Sequence, residues 1–328
     1  MKKNAIITFD YEVFLGHKTG SIENCVIKPT ILILKILEAN NAKAIFFVDA
    51  TWLLFIKENF ADDFQLVARQ LKSIVKAGSS VELHLHPQWL DAFKTGNLIS
   101  FNSYRYYKLH SLNSKEIIDL FIKSIHLLES ITNQKVQCFR AGGWCIEPFD
   151  LYKDIFDTFN IKYDFSVAPG LYIKEGEVFD FDFSDAPHLP FYRFQNDVLK
   201  PQKTGKYLEV PVSTYLNNPF YRLINKLLLK AANDKIYGNG IGIKEKSFFS
   251  TKSLYQHLRF SHAMLTLDKT NNLFFRYLLQ THFNNTKLLV IVSHPKTVSV
   301  QSLTNLSIVT KSYNTLNSSD LQEQLNFL

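Results

Sequence analysis

Short apolar stretches of this 328-residue chain end, at four places, on side chains that can do acid–base or metal chemistry. In chain order, those side chains are Asp10 and Glu12, His84 and His86, Arg140, and His294. Such apolar runs are typical of buried strands, and barrel enzymes assemble their chemistry at the carboxyl ends of parallel strands. Carboxylates, imidazoles and a guanidinium arriving there predict a metal-assisted hydrolase rather than a binding scaffold.

The carboxylates of Asp10 and Glu12 are two residues apart, so both can project to one side at a strand end. One could then bind a metal while the other takes a proton from water. The alternative role is structural, in which a strand-end acid caps the next helix or pairs with Arg140.

His84 and His86 have the spacing that places them, together with Glu82, on one face of a strand. Neutral imidazole is a common zinc ligand, so the pair predicts a metal site. The alternative is a hydrogen-bonded pair in the core. Gln88 and Trp89 follow, and we expect them to begin the rim of the site.

Two adjacent glycines, Gly142 and Gly143, follow Arg140 in a chain with only 12 glycines, well below the ~7% that is typical. Paired glycines after a strand indicate a tight turn or a close backbone approach to a ligand. Arg140 could pair with Asp10 and orient it, and Trp144 could wall a sugar-sized pocket. A purely structural turn is the alternative.

His294 ends the last apolar run and could act as a general acid. The alternative to this catalytic role is a structural one, in which His294 is a hydrogen-bonded histidine at the rim of the site. Asp164 lies in a short extended stretch, and an isolated acid of this kind is more typical of a structural or substrate-contacting residue than of a catalytic one.

The elements that must position these residues alternate between strands and helices. Strands are predicted at residues 5–10, 43–48, 81–86, 135–139, 163–167, 207–212 and 288–293, and helices at 29–39, 63–76, 113–131, 149–159 and 320–327. This alternation predicts an α/β fold with a parallel sheet, open or closed.

Residues 217–262 interrupt this pattern and predict a helical insert. Within the insert, the segment 219–230 is basic and amphipathic. It either packs against the barrel or docks on an anionic membrane surface.

Composition narrows the classes of partner. The 46% hydrophobic content is ample for a core, and the net charge of +7 favours anionic partners. The positive charge is spread along the chain, so we expect no nucleic-acid partner. The first residues run directly into a strand and no stretch approaches ~20 apolar residues, which predicts neither a signal peptide nor a membrane span. With three cysteines lacking disulfide or metal spacing, we expect a cytoplasmic protein.

The order of these motifs resembles the polysaccharide deacetylase family, also called the NodB-homology domain or carbohydrate esterase family 4. The resemblance rests on residues 8–12, 82–89, 139–144 and 291–294, and it spans roughly residues 4–300. Among family members, the chain looks closest to the WbmS-like branch, which is associated with surface-polysaccharide biosynthesis.

The resemblance implies a distorted (β/α)7-type barrel as a single domain over residues 1–328, with the helical insert 217–262 and the C-terminal tail 301–328 as decorations. It also implies a divalent metal, usually zinc. The implied reaction removes an N-acyl group, usually acetyl, from an amino-sugar unit. A nucleotide- or lipid-linked precursor is the expected form of that unit.

Carried over to this sequence, the resemblance implies that Asp10 is the general base, Arg140 its orienting partner and His294 the general acid. His84 would bind the metal. Apart from the resemblance, we expect Gln88, Trp89, Trp144 and Asp164 to contact the substrate.

Two departures from the family pattern affect the metal. The usual adjacent aspartates are Asp10-Tyr11 here, so Glu12 must supply the metal carboxylate. Gln88 occupies the position of the usual second histidine, so His86 must replace it. These departures keep two alternatives open: a metal-independent C–N hydrolase on the same barrel, and a non-catalytic sugar-binding protein.

Overall fold

The computed structural model describes residues 2–16, 18–96, 98–103, 105–173, 180–243 and 260–325. Strands and helices alternate through most of these ranges. The strands are β1 Asn4–Tyr11, β2 Ile45–Asp49, β3 Ser80–Leu85, β4 Ala92–Thr95, β5 Leu98–Phe101, β6 Cys138–Ala141, β7 Tyr163–Asp164, β8 Tyr172–Ile173, β9 Phe181–Asp182, β10 Tyr192–Phe194, β11 Tyr207–Glu209, β12 Thr214–Asn217, β13 Ser261–Met264, β14 Leu288–Ser293 and β15 Asn314–Thr315.

The helices follow the same order along the chain. They are α1 Lys28–Ala39, α2 Ala50–Asn59, α3 Ala61–Lys76, α4 Ser114–Thr132, α5 Lys153–Phe159, α6 Pro219–Ala231, α7 Asn272–Thr281, α8 Val300–Ser312 and α9 Leu321–Gln324. Among the described residues, no helix is long and apolar enough to cross a membrane.

The chain divides into two compact units, each of which is described by itself. Unit 1 comprises Met1–Ala44 and Val212–Leu328, and unit 2 comprises Ile45–Pro211. The single-domain organisation expected from the sequence stays a prediction.

In unit 1, β1 and β14 form a parallel pair that runs from Asn4 opposite Leu288 to Phe9 opposite Ser293. Both strands are almost wholly buried, as their apolar, β-branched composition predicts. β15 pairs in parallel with the start of β1. The carboxyl ends of β1 and β14 therefore lie side by side, and the polar residues that follow each strand come together there.

The insert begins and ends at an antiparallel pair, β12 with β13, in which Asn217 lies opposite Ser261. Inside it, α6 starts where the Asn218 side chain accepts a hydrogen bond from the backbone N–H of Tyr221 at 2.8 Å. The predicted helix is therefore present, and residues 244–259 of the insert lie outside the described residues. None of the α6 residues is buried, so the helix does not enter the core of unit 1.

Unit 2 is built on the sheet order β10-β11-β7-β6-β3-β2, in which only β10 runs antiparallel to its neighbour. Helices α2 to α5 lie between these strands along the chain. This alternation of helices with mainly parallel strands confirms the predicted fold class, an α/β fold of the distorted (β/α)7-barrel type.

Several elements differ from the sequence-based expectation. Helix α2 was not predicted because residues 52–56 form an unbroken apolar run that shows no helical period. Asp49 caps this helix by accepting hydrogen bonds from the N–H groups of Thr51 and Trp52. Helix α8, rich in serine and threonine, lies in what the sequence indicated as a tail. The predicted helix 320–327 is the short α9, and residues 326–328 lie outside the described residues.

Candidate active site

In unit 1, the ends of β1 and β14 bring three of the predicted site residues together. His294 Nε2 lies 3.6 Å from Asp10 Oδ2 and 4.0 Å from Glu12 Oε1. The two acids are buried, whereas the His294 side chain keeps 28% of its surface exposed. A partly open imidazole facing buried carboxylates can exchange protons with a bound molecule, which is the arrangement that acid–base catalysis requires.

Asp268 holds the other side of the same ring. His294 Nδ1 lies 3.1 Å from Asp268 Oδ2, and the His294 backbone N–H donates to the same oxygen at 3.0 Å. Because an ionised carboxylate only accepts hydrogen bonds, Nδ1 carries the proton in this contact. Ser293 and Thr297 donate to Asp268 through their hydroxyls at 2.6 and 2.7 Å, so the carboxylate is itself held in place.

Sequence reasoning missed Asp268. It lies in the segment between β13 and α7, well before His294 along the chain, and no periodic pattern marks it. In the structure, Asp268 is recognisable as a buried acid with 8% exposure, but the sequence predicted no bonding partner for it.

Lys296 is a second residue that the sequence did not reveal. Its Nζ lies 2.6 Å from Glu12 Oε1 and donates to the backbone carbonyl of Val13 at 3.2 Å. The lysine side chain is only 13% exposed and the Glu12 side chain 6%, so this ion pair is largely shielded from solvent. The predicted metal carboxylate therefore already has a cationic partner in unit 1.

In unit 2, His84 and His86 lie at the carboxyl end of β3, buried and with ring centroids 4.7 Å apart. His84 Nδ1 lies 2.8 Å from the backbone carbonyl oxygen of Arg140, its register partner on β6. A carbonyl can only accept, so Nδ1 carries the proton and, in the neutral ring, Nε2 carries the lone pair. Metal-binding histidines typically make such a hydrogen bond through the ring nitrogen that does not coordinate the metal, which here would be Nδ1.

Gly142 leaves room for the His86 ring. A Cβ at Gly142 would lie 2.2 Å from the Leu85 carbonyl oxygen and 2.8 Å from His86 Nδ1. Any side chain at this position would therefore force the backbone to move. Gly143 adds a left-handed conformation with φ +61°. The glycine pair is thus explained by a turn and by close packing against Leu85 and His86, which matches the structural alternative that the sequence left open.

Arg140 is buried, with 1% exposure. Its Nε donates to the Phe165 carbonyl at 3.0 Å, and its guanidinium carbon lies 4.3 Å from the ring centroid of Phe47 and 5.4 Å from that of Trp144. These contacts fix the guanidinium within unit 2. Its predicted pairing with Asp10 stays a prediction.

Asp164 lies in a buried carboxyl pair with Glu209, its register partner on β11. Burial raises the pKa of Asp164, and burial followed by the neighbouring Asp164 charge raises the pKa of Glu209 well above its usual range. The Ser166 hydroxyl donates to Asp164 at 2.8 Å and accepts from the Ala141 N–H at 2.9 Å. These two hydrogen bonds link the Asp164–Glu209 pair to β6, the strand that carries Arg140.

The predicted substrate contacts lie at different depths. Gln88 and Trp89 are buried and not on an exposed rim, because Gln88 donates to the Ser103 carbonyl and Trp89 packs against Phe55 and Phe101 with ring centroids 5.4 and 5.2 Å away. Trp144 is only half-buried. Asp164 is fully buried. The substrate-binding roles of these four residues stay predictions.

The donor set suits a divalent metal of the zinc type. Glu12, His84 and His86 are all buried, and imidazole with carboxylate is a usual zinc set. The hydrogen bond from His84 Nδ1 leaves the correct nitrogen for coordination. A metal that used Glu12 would have to share the carboxylate with Lys296 or displace the ammonium.

Residues 2–146 match a protein-family model described as polysaccharide deacetylase. This segment includes the first acid motif, the histidine pair and Arg140, whereas His294 lies beyond it. No curated protein matches the chain.

Solved structures of similar proteins include a putative polysaccharide deacetylase from Mycobacterium smegmatis, with 14% identity over 99% of this chain and 91% of that one, at a TM-score of 0.48. The peptidoglycan deacetylase PdaC from Bacillus subtilis has 12% identity over 99% of this chain and 93% of that one, at 0.42. A variant of BA3943, a CE4-family pseudoenzyme from Bacillus anthracis, has 27% identity over 50% of this chain and 44% of that one, at 0.32. The sequence-based resemblance is therefore supported at the level of the polysaccharide deacetylase family model, over residues 2–146.

Proposed function

We propose that this chain is a polysaccharide deacetylase that hydrolyses the N-acyl group, acetyl in the simplest case, of an amino-sugar unit. The observation that carries the proposal is the placement of the His294 imidazole, with Asp268 on one nitrogen and Asp10 near the other. Amide hydrolysis needs one group to take a proton from water and another to give a proton to the departing nitrogen.

In the proposed reaction, Asp10 takes the proton of the attacking water. His294 in its doubly protonated form gives the Nε2 proton to the leaving amine. Asp268 is a positioning residue, because it fixes the ring through Nδ1 and stabilises the imidazolium form. Arg140 is proposed to orient the base.

We further propose that Glu12, His84 and His86 hold a divalent metal, zinc in the first instance. When bound, such a metal would polarise the acyl carbonyl and stabilise the charge that develops on its oxygen. His84 is already oriented for this by its hydrogen bond to the Arg140 carbonyl.

The proposed substrate is an acylated amino sugar carried on a nucleotide or lipid phosphate, used in surface-polysaccharide biosynthesis in the cytoplasm. The net charge of +7 supports an anionic carrier. Trp144, whose ring faces the Arg140 guanidinium and is half-buried, is the proposed wall for the sugar, and Gln88, Trp89 and Asp164 are proposed to line or support the same pocket.

The first experiment measures metal content by elemental analysis of the purified protein. The wild type is compared with His84→Ala/His86→Ala and with the control His126→Ala/His282→Ala, which removes two exposed histidines. We expect near-stoichiometric zinc or another divalent ion in the wild type and control, and its loss in the first variant. Absence of metal from the wild type, even after zinc is added, would reject the metal-dependent mechanism.

The second experiment measures acetate release from N-acetylated amino-sugar phosphates. Asp10→Asn and His294→Ala should each lower the rate by roughly 10²–10⁴-fold while the fold is retained. Full turnover by Asp10→Asn would refute the assignment of the base, and sugar binding without turnover by the wild type would favour a non-catalytic sugar-binding protein.

The ion pair between Lys296 and Glu12 favours a second candidate, a metal-independent C–N hydrolase. The largely shielded Lys296 ammonium already supplies positive charge at this carboxylate, 2.6 Å away. If turnover survives exhaustive treatment with a chelator and is lost in Lys296→Met, the metal-independent reaction is the better description.

A further inference from the structure

Helix α6 presents an exposed apolar strip. Phe220, Leu223 and Leu227 are 65%, 54% and 57% exposed, which is unusual for three large apolar side chains on one helix. At 100° per residue they fall within a narrow arc of the helix surface. Clustered exposed apolar residues mark an interaction surface, whereas single ones need no explanation.

Two exposed lysines border this strip. Lys226 and Lys230 fall on the same side of the apolar arc, next to Leu223. No acidic residue occurs between Pro219 and Ala231, so the helix is basic throughout. The docking face, defined as Phe220, Leu223, Lys226, Leu227 and Lys230, therefore combines apolar area with positive charge only.

The opposite side of α6 attaches the helix to unit 1. The hydroxyls of Tyr221 and Tyr277 lie 2.7 Å apart, and Asn225 donates to the Lys269 carbonyl at 2.9 Å and accepts from the Asn271 N–H at 2.9 Å. These polar contacts hold the helix without burying any of its residues within the described part of the chain. The apolar strip is thus not needed for attachment.

We infer that the docking face of α6 binds the surface of an anionic phospholipid membrane. Apolar side chains flanked by lysines suit the boundary between acyl chains and headgroups, where the lysine stems extend to the phosphates. Charge complementarity selects an anionic lipid over a neutral one. The inference goes beyond the proposed reaction and depends on neither its catalytic residues nor its metal.

The test is co-sedimentation of the full-length protein with vesicles of phosphatidylcholine alone, or mixed with phosphatidylglycerol, in the absence of sugar substrate. We expect binding to the anionic vesicles only, weakening as salt is raised. Leu223→Gln/Leu227→Gln and Lys226→Gln/Lys230→Gln should each weaken binding about tenfold or more.

Matched controls come from exposed residues elsewhere. Lys72→Gln/Lys76→Gln removes two exposed lysines with the same spacing from α3, and Leu98→Gln/Leu189→Gln removes two exposed leucines. Both controls should bind like the wild type.

Equal binding to neutral and anionic vesicles, no binding at low salt, or equal losses in the α6 variants and the controls would each overturn the inference. So would concentration-dependent self-association that the α6 variants abolish, because the face would then be an interface between copies of this chain. Deacetylation of a water-soluble acylated sugar should be the same in the α6 variants, so failure here is distinguishable from failure of the proposed reaction.

Discussion

His294 lies between two carboxylates of the same unit, but it is bonded to only one of them. Its Nδ1 is 3.1 Å from Asp268 Oδ2, whereas its Nε2 is 3.6 Å from Asp10 Oδ2. The first distance is a hydrogen bond and the second is too long for one. The ring is therefore fixed from one side, and the nitrogen on the other side faces the proposed base.

Asp268→Asn should separate positioning from folding. The asparagine amide can donate to Nδ1, which would reverse the proton arrangement on the ring. We expect kcat to fall about 10²-fold or more, with a much smaller change in KM. Steady-state kinetics on an N-acetylated amino sugar would measure both.

The control for this variant is Asp119→Asn, which changes an exposed acid on α4. Urea unfolding of both proteins would show whether Asp268→Asn remains folded. Unchanged kcat in a folded Asp268→Asn protein would contradict the positioning role.

Lys296→Met should change metal affinity. Removing the ammonium frees Glu12 Oε1 from a contact of 2.6 Å and leaves its negative charge without that cation. Zinc should then bind about tenfold more tightly, since one charge-assisted contact no longer competes. Competition with a chromophoric chelator measures this affinity without reference to turnover.

Lys296→Arg retains the positive charge and should stay near the wild-type affinity, as should Lys72→Met on α3. Weaker zinc binding by Lys296→Met would show that the lysine supports the metal site and does not compete with it.

Gly142→Ala should destabilise unit 2 and disturb His86. The new methyl group would meet the Leu85 carbonyl oxygen at 2.2 Å, so the backbone must shift, at a cost of about 1–3 kcal/mol in the free energy of unfolding. Urea unfolding gives the cost, and zinc affinity of the folded variant reports on His86.

Gly242→Ala is the matched control, because a Cβ there would make only ordinary contacts at 3.7 Å. If both variants unfold at the same urea concentration, the close approach between Gly142 and His86 is not a constraint.

The Asp164–Glu209 pair should make stability depend on pH. Both pKa values are raised in the folded protein, so the folded state holds a proton that the unfolded chain releases once the pH exceeds its ordinary carboxyl pKa. The contribution is complete below that pH and is lost as the pH rises toward the raised values. Unfolding free energy should therefore decline with pH above about 4.

Glu209→Gln should flatten this decline. The glutamine oxygen can still accept from the Val167 N–H, which donates to Glu209 at 3.1 Å, and its amide can donate to Asp164 in place of the shared proton. We expect about 1 kcal/mol of added stability at pH 8, measured by urea unfolding across pH. A slope equal to that of Glu38→Gln, an exposed control on α1, would argue against a shared proton.

Much of the fold was predictable because its buried strands are continuous apolar runs. β1, β3 and β14 lie close to the predicted ranges, and the acids and histidines that follow them lie at their carboxyl ends. Where helix and strand patterns coincide, as in the apolar residues of α2, the sequence does not distinguish them.

The candidate site was predictable only where its residues adjoin a strand. Asp268 contacts His294, and Glu209 pairs with Asp164, across long separations in sequence. No local sequence pattern marks a buried acid whose partner lies so far along the chain. Trp89 shows the opposite error, since an aromatic residue after a strand was expected at a rim and instead packs into a core cluster.

The pairing of β12 with β13 returns the chain, after residues 218–260, to a point next to where it left. Beside that point, the Ser213 N–H donates to the Val290 carbonyl, and the Val292 N–H donates to that of Leu265, so the base of the insert is stitched to β14. The cost of closing such a loop rises only slowly with its length. Further along the same loop, Asp234 accepts from the Ser299 hydroxyl, and the N–H groups of Tyr237 and Ile241 donate to the carbonyls of Val298 and Lys18. Changes confined to α6 can therefore vary this loop while the strand that presents His294 keeps its place, whereas changes at residues 234–241 would alter unit 1 itself.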